Sequence, residues 1–264
     1  MVAYGRKNRI IEYLEQNGMA EVSVLSGMLG VVPETIRRDL RELEKQKILT
    51  RTHGGALMRN RKEKEYPVQV RVARNSVEKD RICMKAAGFI NDGDMIFVDN
   101  SSTLINLIKY IDDQLQVTIL TNSIKVLQEY ANQRKDNVSM ICTGGIFNKS
   151  NMSLSGTIGD RNTYDFFPSK AFVSCHGVSS EFGFTDGNFL EVNFKREMIK
   201  LAREVFFLVD HTKFEKLGPI RLGDWKICDV MVTDKAPSEE FMRQIGQTNP
   251  QLRLEVCETV KGAV

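Results

Sequence analysis

The chain has 264 residues, 42% hydrophobic and 27% charged, with a formal net charge of +3, as in a globular protein of one large domain or a small one plus a medium one. No run approaches the roughly 18 apolar residues of a membrane span, and the N-terminus MVAYGRKNRIIEYLEQ lacks the apolar core of a secretion signal, so a cytoplasmic protein is expected. The five cysteines, Cys83, Cys142, Cys175, Cys228 and Cys257, form no C-x-x-C and have no histidine at ligand spacing, so no metal site is expected; Cys142 and Cys175 lie in apolar runs and read as buried small hydrophobes.

The charge is unevenly spread. Residues 1–62 hold twelve Lys/Arg against seven Asp/Glu, an excess of +5, which leaves −2 for residues 63–264. A basic head on a near-neutral body points to a polyanion met by the head alone. Ile10, Ile11 and Leu14 give one face of a first helix ending near Asn17-Gly18, and Val22, Leu25 and Leu29 a short second helix stopped by Gly30. In residues 31–46, VVPETIRRDLRELEKQ, Pro33 suits the first helical position, where its missing N–H is not needed. Glu34 favours the positive end of the helix dipole. Ile36, Leu40 and Leu43 form the buried stripe, and Thr35, Arg37, Arg38 and Arg41 fall largely off it. Residues 48–52 and 56–58 then flank His53-Gly54-Gly55 as a hairpin. Three short helices and a basic hairpin make a winged helix-turn-helix, whose third helix enters the DNA major groove. There Arg can pair with guanine O6/N7, and Thr can meet a phosphate or a thymine methyl; Arg51 and His53 on the wing would lie near phosphates. A single helix with three arginines could be only a solvated face; the whole series in about sixty residues favours DNA binding.

Arg6, Ile10 and Leu14, then Thr35-Ile36-Arg37-Arg38-Asp39-Leu40-x2-Leu43, then Arg51-Thr52-His53-Gly54-Gly55-Ala56 resemble the head of the DeoR (deoxyribose-operon repressor) family. One departure is Val32, where that family usually has an N-capping Ser. Losing a side-chain cap costs about 1 kcal/mol, and Val32 is therefore not carried over as a DNA contact. The head is assigned to residues 1–58 and a linker to 59–75. Pro67 breaks any helix at Tyr66, and the remainder, through Arg71 and Lys79, reads as a helix leading into the body. Arg71 and Lys79 match charged positions of the family, but an exposed helical face is the preferred reading of both.

From residue 95 onward strand-like runs alternate with helical ones. Strands are expected at 95–98, 117–120, 138–142, 170–175, 205–209, 229–233 and 252–256, and helices at 103–111, 123–133, 157–165, 190–203 and 237–246. The alternation predicts an α/β domain, a mostly parallel sheet with helices on both faces. Ligands in such folds bind beyond the carboxyl ends of the strands. The residues there are small and polar: Asp99-Asn100-Ser101-Ser102-Thr103, Thr121-Asn122-Ser123, Thr143-Gly144-Gly145, His176-Gly177 and Asp210-His211-Thr212-Lys213. Hydroxyls and backbone N–H groups at a helix N-terminus suit a phosphate. Lys213 can add a cation; Asp99, Asn122 or Asp210 can bond sugar hydroxyls; Gly144 and Gly145 allow close backbone approach. Each loop alone is more often a helix cap than a ligand site; five together favour one pocket.

The body, over about residues 76–256, also resembles the sensor domain of the DeoR family, through Asp99-x-x-Ser102-Thr103, Thr121-Asn122, Gly144-Gly145, Gly156, Lys170-Ala171-Phe172, Gly177, Glu191-x3-Lys195, Asp210-x-x-Lys213-Phe214 and Thr233-Asp234. The resemblance implies a Rossmann-like α/β sensor domain over residues 76–258, similar in fold to ribose phosphate isomerase and glucosamine phosphate deaminase, with a phosphorylated sugar as effector. It carries over Asp99, Asn100, Ser101, Ser102, Thr103, Thr121, Asn122, Gly144, Gly145, Glu191, Lys195, Asp210 and Lys213 as effector-binding residues. Ser101 stands where the family commonly has Gly, which narrows the approach to a phosphate but adds a hydroxyl. Ser-Ser-Thr, Ser174-Cys175-x-Gly177 and Asp210-x-Thr212-Lys213 are nearest the fucose-operon branch.

An isomerase would need a carboxylate base with a Lys or His partner. Asp186, Glu191, Lys195, Asp210, Lys213, His176 and His211 are candidates, and Cys175-His176 looks like a dyad, although neighbours at a strand end point to opposite sides. Catalysis leaves the head without a role, and a structural DNA-binding protein leaves the polar loops without one. The expected protein is a transcription regulator, a repressor of a sugar-metabolism operon, and not an enzyme. Its partners are operator DNA, through Thr35, Arg37, Arg38, Arg41, Arg51 and His53, and a phosphorylated monosaccharide. It needs no cofactor, and it works as a dimer or tetramer so that its symmetry matches repeated half-sites.

Overall fold

The computed structural model describes residues 3–46, 48–58 and 66–257. Residues 59–65 of the expected linker and the expected domain end at 258 lie outside the described residues. The chain divides into two compact units, Met1–Arg74 and Asn75–Val264.

In the first unit α1 (Ala3–Asn17) is followed by a short strand, β1 (Met19–Glu21), and by α2 (Val22–Leu29). Gly30, at φ 63°, ends α2 and donates its N–H to Ser26 O. Helix α3 (Pro33–Lys45) starts after Val32, which is extended, 66% exposed and without a side-chain cap bond. Ile36, Leu40 and Leu43 are buried as their spacing predicts. The hairpin β2 (Leu49–Arg51) and β3 (Gly55–Met58) carries an extra edge, because β1 pairs with β3 to give the order β1-β3-β2. Three residues are too few to show alternation in the sequence. This pairing explains a glycine: a Cβ on Gly55 would lie 2.0 Å from Ala20 O. Helix α4 (Val68–Ala73) belongs to the first unit, and its Val70 joins the core of Ile10, Leu14, Leu25, Leu40 and Leu49.

That core contains one ion pair. Arg6 Nε and Nη2 donate to Asp39 Oδ2 and Oδ1 at 2.5 and 3.1 Å, with both residues at most 5% exposed. The bidentate bond fixes the third helix on the first, and Lys7 with Glu42 adds a second tie between them.

The helix expected to run through Arg71 and Lys79 is two helices, one in each unit. Asn75, at φ 50°, separates α4 from α5 (Ser76–Ala87). Beyond it come β4 (Met95–Val98), β5 (Val117–Thr121), α6 (Ile124–Asn132), β6 (Val138–Cys142), β7 (Ile146–Asn148), β8 (Ser153–Ser155) and α7 (Thr157–Arg161). The remainder is β9 (Lys170–Val173), β10 (Gly177–Ser179), β11 (Gly183–Asp186), α8 (Phe189–Leu201), β12 (Glu204–Leu208), β13 (Ile220–Gly223), β14 (Val230–Thr233), α9 (Glu239–Thr248) and β15 (Arg253–Val256). The seven expected strands form one parallel sheet in the order β15-β14-β12-β9-β4-β5-β6. Strands fill it outward from β4 on one side and from β9 on the other, so the winding reverses between β4 and β9. Two apolar clusters lie on its faces: one around Ile82, Leu107, Val126 and Phe206, the other around Phe194, Met198, Trp225 and Phe241. The architecture is the expected one, a winged helix-turn-helix and a Rossmann-like α/β domain.

Three local expectations are corrected. Residues 103–111 form no α-helix. They are turns and a 3₁₀ segment, Leu107–Tyr110, with i→i−3 bonds such as Leu104 N to Ser101 O and Leu107 N to Leu104 O. Leu104, Leu107, Ile108 and Ile111 are buried; their spacing identifies the buried side but does not separate the two windings over so short a run. Helix α7 stops at Arg161, and the Asn162 amide turns to donate to Thr143 O at 2.9 Å. Cys142 is exposed, at the end of the outermost strand β6. The antiparallel pairs β7–β8, β10–β11 and β11–β13 were not read from the sequence. No described helix is long and apolar enough to cross a membrane.

Breaking the Arg6–Asp39 pair from one side leaves a buried charge uncompensated, which costs about 3 kcal/mol or more. Asp39→Leu is expected to lower the first urea transition of the chain by about that amount, and Arg6→Met with Asp39→Leu to recover most of it. Equal loss in the single and double variants would show that the pair is not what holds α3.

Candidate functional site

Residues from β4, β9 and α8 meet where the sheet reverses, the position at which open α/β folds take ligands. Directly after β4, Asp99 is 1% exposed and already committed. Its Oδ1 accepts the Ser101 N–H at 2.8 Å, and its Oδ2 accepts the Ser174 N–H after β9 at 3.0 Å and Lys195 Nζ at 2.8 Å. Lys195 on α8 also donates to Asp186 Oδ2 and Ser174 O, each at 2.7 Å. An ammonium has three protons, and these three acceptors use them. Burial alone would push the Lys195 ammonium toward the neutral form, but Asp186 and Asp99 outweigh it and hold the pKa above its ordinary value.

Glu191, one turn earlier on α8, is equally saturated. Its Oε1 accepts Ser153 Oγ at 2.6 Å and Asn148 Nδ2 at 3.1 Å; its Oε2 accepts Asn151 Nδ2 at 2.9 Å and Asn100 Nδ2 at 3.0 Å. It fastens the β7–β8 hairpin to the loop after β4. Thr121 is likewise occupied, donating to Val98 O and accepting the Ser123 N–H. Gly144 and Gly145 have φ of 74° and 123°. At Gly145 it is the chain's own strand that approaches, since a Cβ there would lie 2.8 Å from Ser155 O. Asp99, Thr121, Glu191 and Lys195 thus have hydrogen-bond partners within the protein, and Gly145 lies against β8.

The other candidates form a second group. Lys213 Nζ donates to Ser174 Oγ at 2.7 Å and Thr103 Oγ1 at 3.1 Å and lies 3.8 Å from Asp210 Oδ2. Lys79 on α5 donates to Ser102 Oγ at 3.3 Å and is 6% exposed. It is therefore part of the site and not the solvated face read from the sequence; Arg71, also read as exposed, is half-buried and donates to Tyr66 O at 2.9 Å. Burial pushes the Asp210 carboxyl up, but Lys213, Thr212, Lys79 and Asn75 together bring it below the ordinary range. Two buried polar atoms here have no hydrogen-bond partner among the described residues: Ser101 Oγ and Asn122 Oδ1. The Asn122 amide is oriented by Nδ2 donating to Leu154 O at 3.1 Å, which leaves Oδ1 as an acceptor facing no donor. Buried polar groups are rarely left so. Ser101, where the sequence departs from the family pattern, supplies the orphan hydroxyl. With no α-helix after it, this loop offers hydroxyls and two lysines in place of a helix dipole.

Of the remaining enzyme candidates, Cys175 is buried, which pushes its thiol up to about 12, while His176 is exposed; the two form no dyad. His211 Nδ1 lies 2.6 Å from Asp234 Oδ2 at the ends of β12 and β14.

On the head, Arg37, Arg38, Arg41, Arg51 and His53 are exposed and Thr35 is half-buried. Glu34 gathers two of them, accepting Arg37 Nη1 at 3.2 Å and Arg41 Nη2 at 2.6 Å. On the wing, the Arg51 N–H donates to Glu44 Oε1 at 2.9 Å.

Residues 6–62 match the family described as the DeoR-like helix-turn-helix domain, and residues 74–235 the DeoR C terminal sensor domain. The chain is 35% identical over 214 residues to an uncharacterized HTH-type transcriptional regulator of Bacillus subtilis, covering 81% of this chain and 82% of that one. It is 30% identical to the glycerol-3-phosphate regulon repressor of Escherichia coli, covering 96% and 98%. It is 28% identical to the L-fucose operon activator of Haemophilus influenzae, covering 92% and 96%. Among solved structures it is similar to ribose 5-phosphate isomerase A of Methanocaldococcus jannaschii, with 15% identity and a TM-score of 0.40, covering 53% of this chain and 55% of that one.

The two lysines that follow the family pattern separate in one experiment. Lys195→Met leaves Asp99 and Asp186 buried without their cation and is expected to cost about 3–5 kcal/mol in urea unfolding. Lys213→Met removes two bonds to neutral hydroxyls and a long ion pair to Asp210, which keeps its bonds from Asn75 and Thr212, and is expected to stay within about 1.5 kcal/mol. Similar losses for both would contradict the division between a structural and a ligand-facing cation.

Proposed function

Because the chain belongs to the DeoR family of helix-turn-helix transcriptional regulators, we propose that it represses a sugar-metabolism operon and is released by a phosphorylated monosaccharide bound at the strand ends of its second unit. The observation that carries the effector reading is the pairing of Lys213 and Lys79 with the hydroxyls of Ser102, Thr103 and Ser174, beside an orphan hydroxyl on Ser101. Hydroxyls and ammonium groups on one loop suit the oxygens of a phosphate. Asn122 Oδ1, an acceptor without a donor, suits a sugar hydroxyl. The acceptor and the cations are complementary to one molecule that carries both groups.

On the DNA side α3 lies in the major groove, with Arg37, Arg38 and Arg41 toward bases and phosphates and Arg51 and His53 on the wing near the backbone. Glu34 holds Arg37 and Arg41 together before the operator arrives. The protein works as a dimer or tetramer, which matches a repeated half-site. Effector and operator then compete through a coupling of roughly 1–3 kcal/mol.

Catalysis is the second reading, and the His211–Asp234 pair is the feature that favours it. Against it, the carboxylates around the hydroxyl loop are engaged: Asp99 by Lys195, Glu191 by four neutral donors, and Asp210 by Asn75 and Thr212 beside Lys213. A general base needs a free lone pair within reach of the proton it takes.

A thermal-shift series with ribose 5-phosphate, glucose 6-phosphate, fructose 1-phosphate, L-fuculose 1-phosphate and glycerol 3-phosphate, each beside its unphosphorylated parent, tests the effector. A binder at a hundred times its Kd adds about 2.7 kcal/mol of stability. At least one phosphate is expected to shift the melting temperature and its parent not, with the shift lost in Ser101→Ala/Lys213→Met. Proton NMR of the same mixtures is expected to show the sugar unchanged; conversion would establish an enzyme. For the head, Arg37→Ala, Arg38→Ala and Arg41→Ala are expected to weaken operator binding by about 1–3 kcal/mol wherever the side chain reads a base. Unchanged binding in all three would remove α3 from the interface.

A further inference from the structure

Asn75 is the first residue of the second unit, and α5 starts from it. Asparagine is a favoured helix cap, yet its side chain makes no cap bond here. Nδ2 instead donates to Asp210 Oδ1 at 3.0 Å and Thr212 Oγ1 at 3.1 Å, well over a hundred residues away in sequence. The backbone of Asn75 is left-handed, φ 50° and ψ 41°, a conformation that asparagine adopts more readily than most residues. The same Asp210 oxygen accepts the Thr212 hydroxyl at 2.5 Å and the Thr212 N–H at 3.2 Å. The next residue is Lys213, which reaches Thr103 and Ser174. On the other side, Lys79 donates its N–H to Asn75 O at 2.9 Å and its ammonium to Ser102. The residue at which one unit gives way to the other is therefore tied to both lysines of the hydroxyl loop, once through its side chain and once through the first turn of α5.

We infer that Asn75 is the positioning residue that passes effector occupancy to the DNA-binding unit. This rests on the effector reading above. A phosphate that draws Lys213 and Lys79 toward itself moves the 210–213 turn and the first turn of α5. The two Asn75 bonds lock these pieces together, so their movement is delivered to the backbone at residue 75. Without the side chain the turn and the helix adjust separately, and the pocket fills with no consequence at the junction. Two sites are coupled only through an element whose state both of them bias.

Asn75→Gly is the suited variant, because glycine keeps the left-handed backbone without steric cost and removes both bonds. Thr212→Val removes only the half of the link that ends on Thr212 and leaves the bond from Asn75 to Asp210. In the full-length chain, affinity for the sugar phosphate giving the largest thermal shift is measured by calorimetry. Affinity for a duplex selected by this protein from a random library is measured by anisotropy, with and without that sugar phosphate. Wild type is expected to show a ratio of roughly 5–150-fold between the two operator affinities. In Asn75→Gly the ratio falls to within about 2-fold of one and in Thr212→Val it falls part of the way, while the sugar-phosphate Kd and the effector-free operator Kd stay within about 3-fold of wild type, both of these windows set against that wild-type ratio. A wild-type ratio in the variants overturns the inference, and so does loss of sugar-phosphate binding, since Asn75 would then only shape the pocket. A wild-type ratio near one overturns it as well. The two claims fail separately: no thermal shift in wild type removes the effector reading and this inference with it, whereas a normal shift with intact coupling in the variants removes the inference alone.

Discussion

The effector end of the molecule depends on one buried ammonium. The winding of the sheet reverses between β4 and β9, and polar groups gather at the strand ends there. Lys195 binds Asp99, Asp186 and the Ser174 carbonyl at once. Those bonds hold the backbone after β4 and after β9 in register and so set where Ser101, Ser102, Thr103 and Ser174 stand. Glu191, a turn away on the same helix, does the same for the β7–β8 hairpin. One face of α8 thus aligns three chain segments, and the loop it supports keeps its own donors and acceptors for something else.

The head follows the same plan on a smaller scale. The Arg6–Asp39 pair spends one charge of α3 on the core, which leaves the arginines of that helix on its outer face. Glu34 neutralises part of that face and keeps two long side chains from sampling every rotamer. Val32 leaves the helix start without a side-chain cap, and Pro33, which has no N–H, removes one of the unpaired donors of the first turn.

Much of this is legible in the sequence for a plain reason. The inner parallel strands are largely buried on both faces and read as continuous apolar runs, and the edge strands β6 and β15 keep enough apolar residues to follow the same alternation, so all seven were visible; so were the stripe of α3 and the Gly-Gly turn. Short antiparallel pieces were not, because three residues carry no period. The winding of residues 103–111 was misread because turns, 3₁₀ and α-helix share the spacing of Leu104, Leu107, Ile108 and Ile111. The hydroxyls of the loop after β4 were visible in the sequence, but which of its atoms are already bonded within the protein was not. That depends on who else claims each atom: Glu191 and Ser101 look equally available on paper, and only the fold shows one saturated and the other orphaned. Lys79 was passed over for a related reason, since a charged residue on a helix looks solvated until the packing of that helix is known. The position of Ser101 also shows how a departure from a family pattern can be informative: where a glycine would only let a ligand approach, this chain offers a further hydroxyl.

The central claim is that the hydroxyl loop and its two lysines hold the phosphate of a sugar. A structure of the full chain with the sugar phosphate that raises its melting temperature tests this most directly. The account places phosphate oxygens within hydrogen-bond distance of Lys213 Nζ and Ser101 Oγ, with a sugar hydroxyl donating to Asn122 Oδ1 and the Lys195 and Glu191 bonds unchanged. A phosphate seated elsewhere, or one that displaces Asp99 from Lys195, would contradict it.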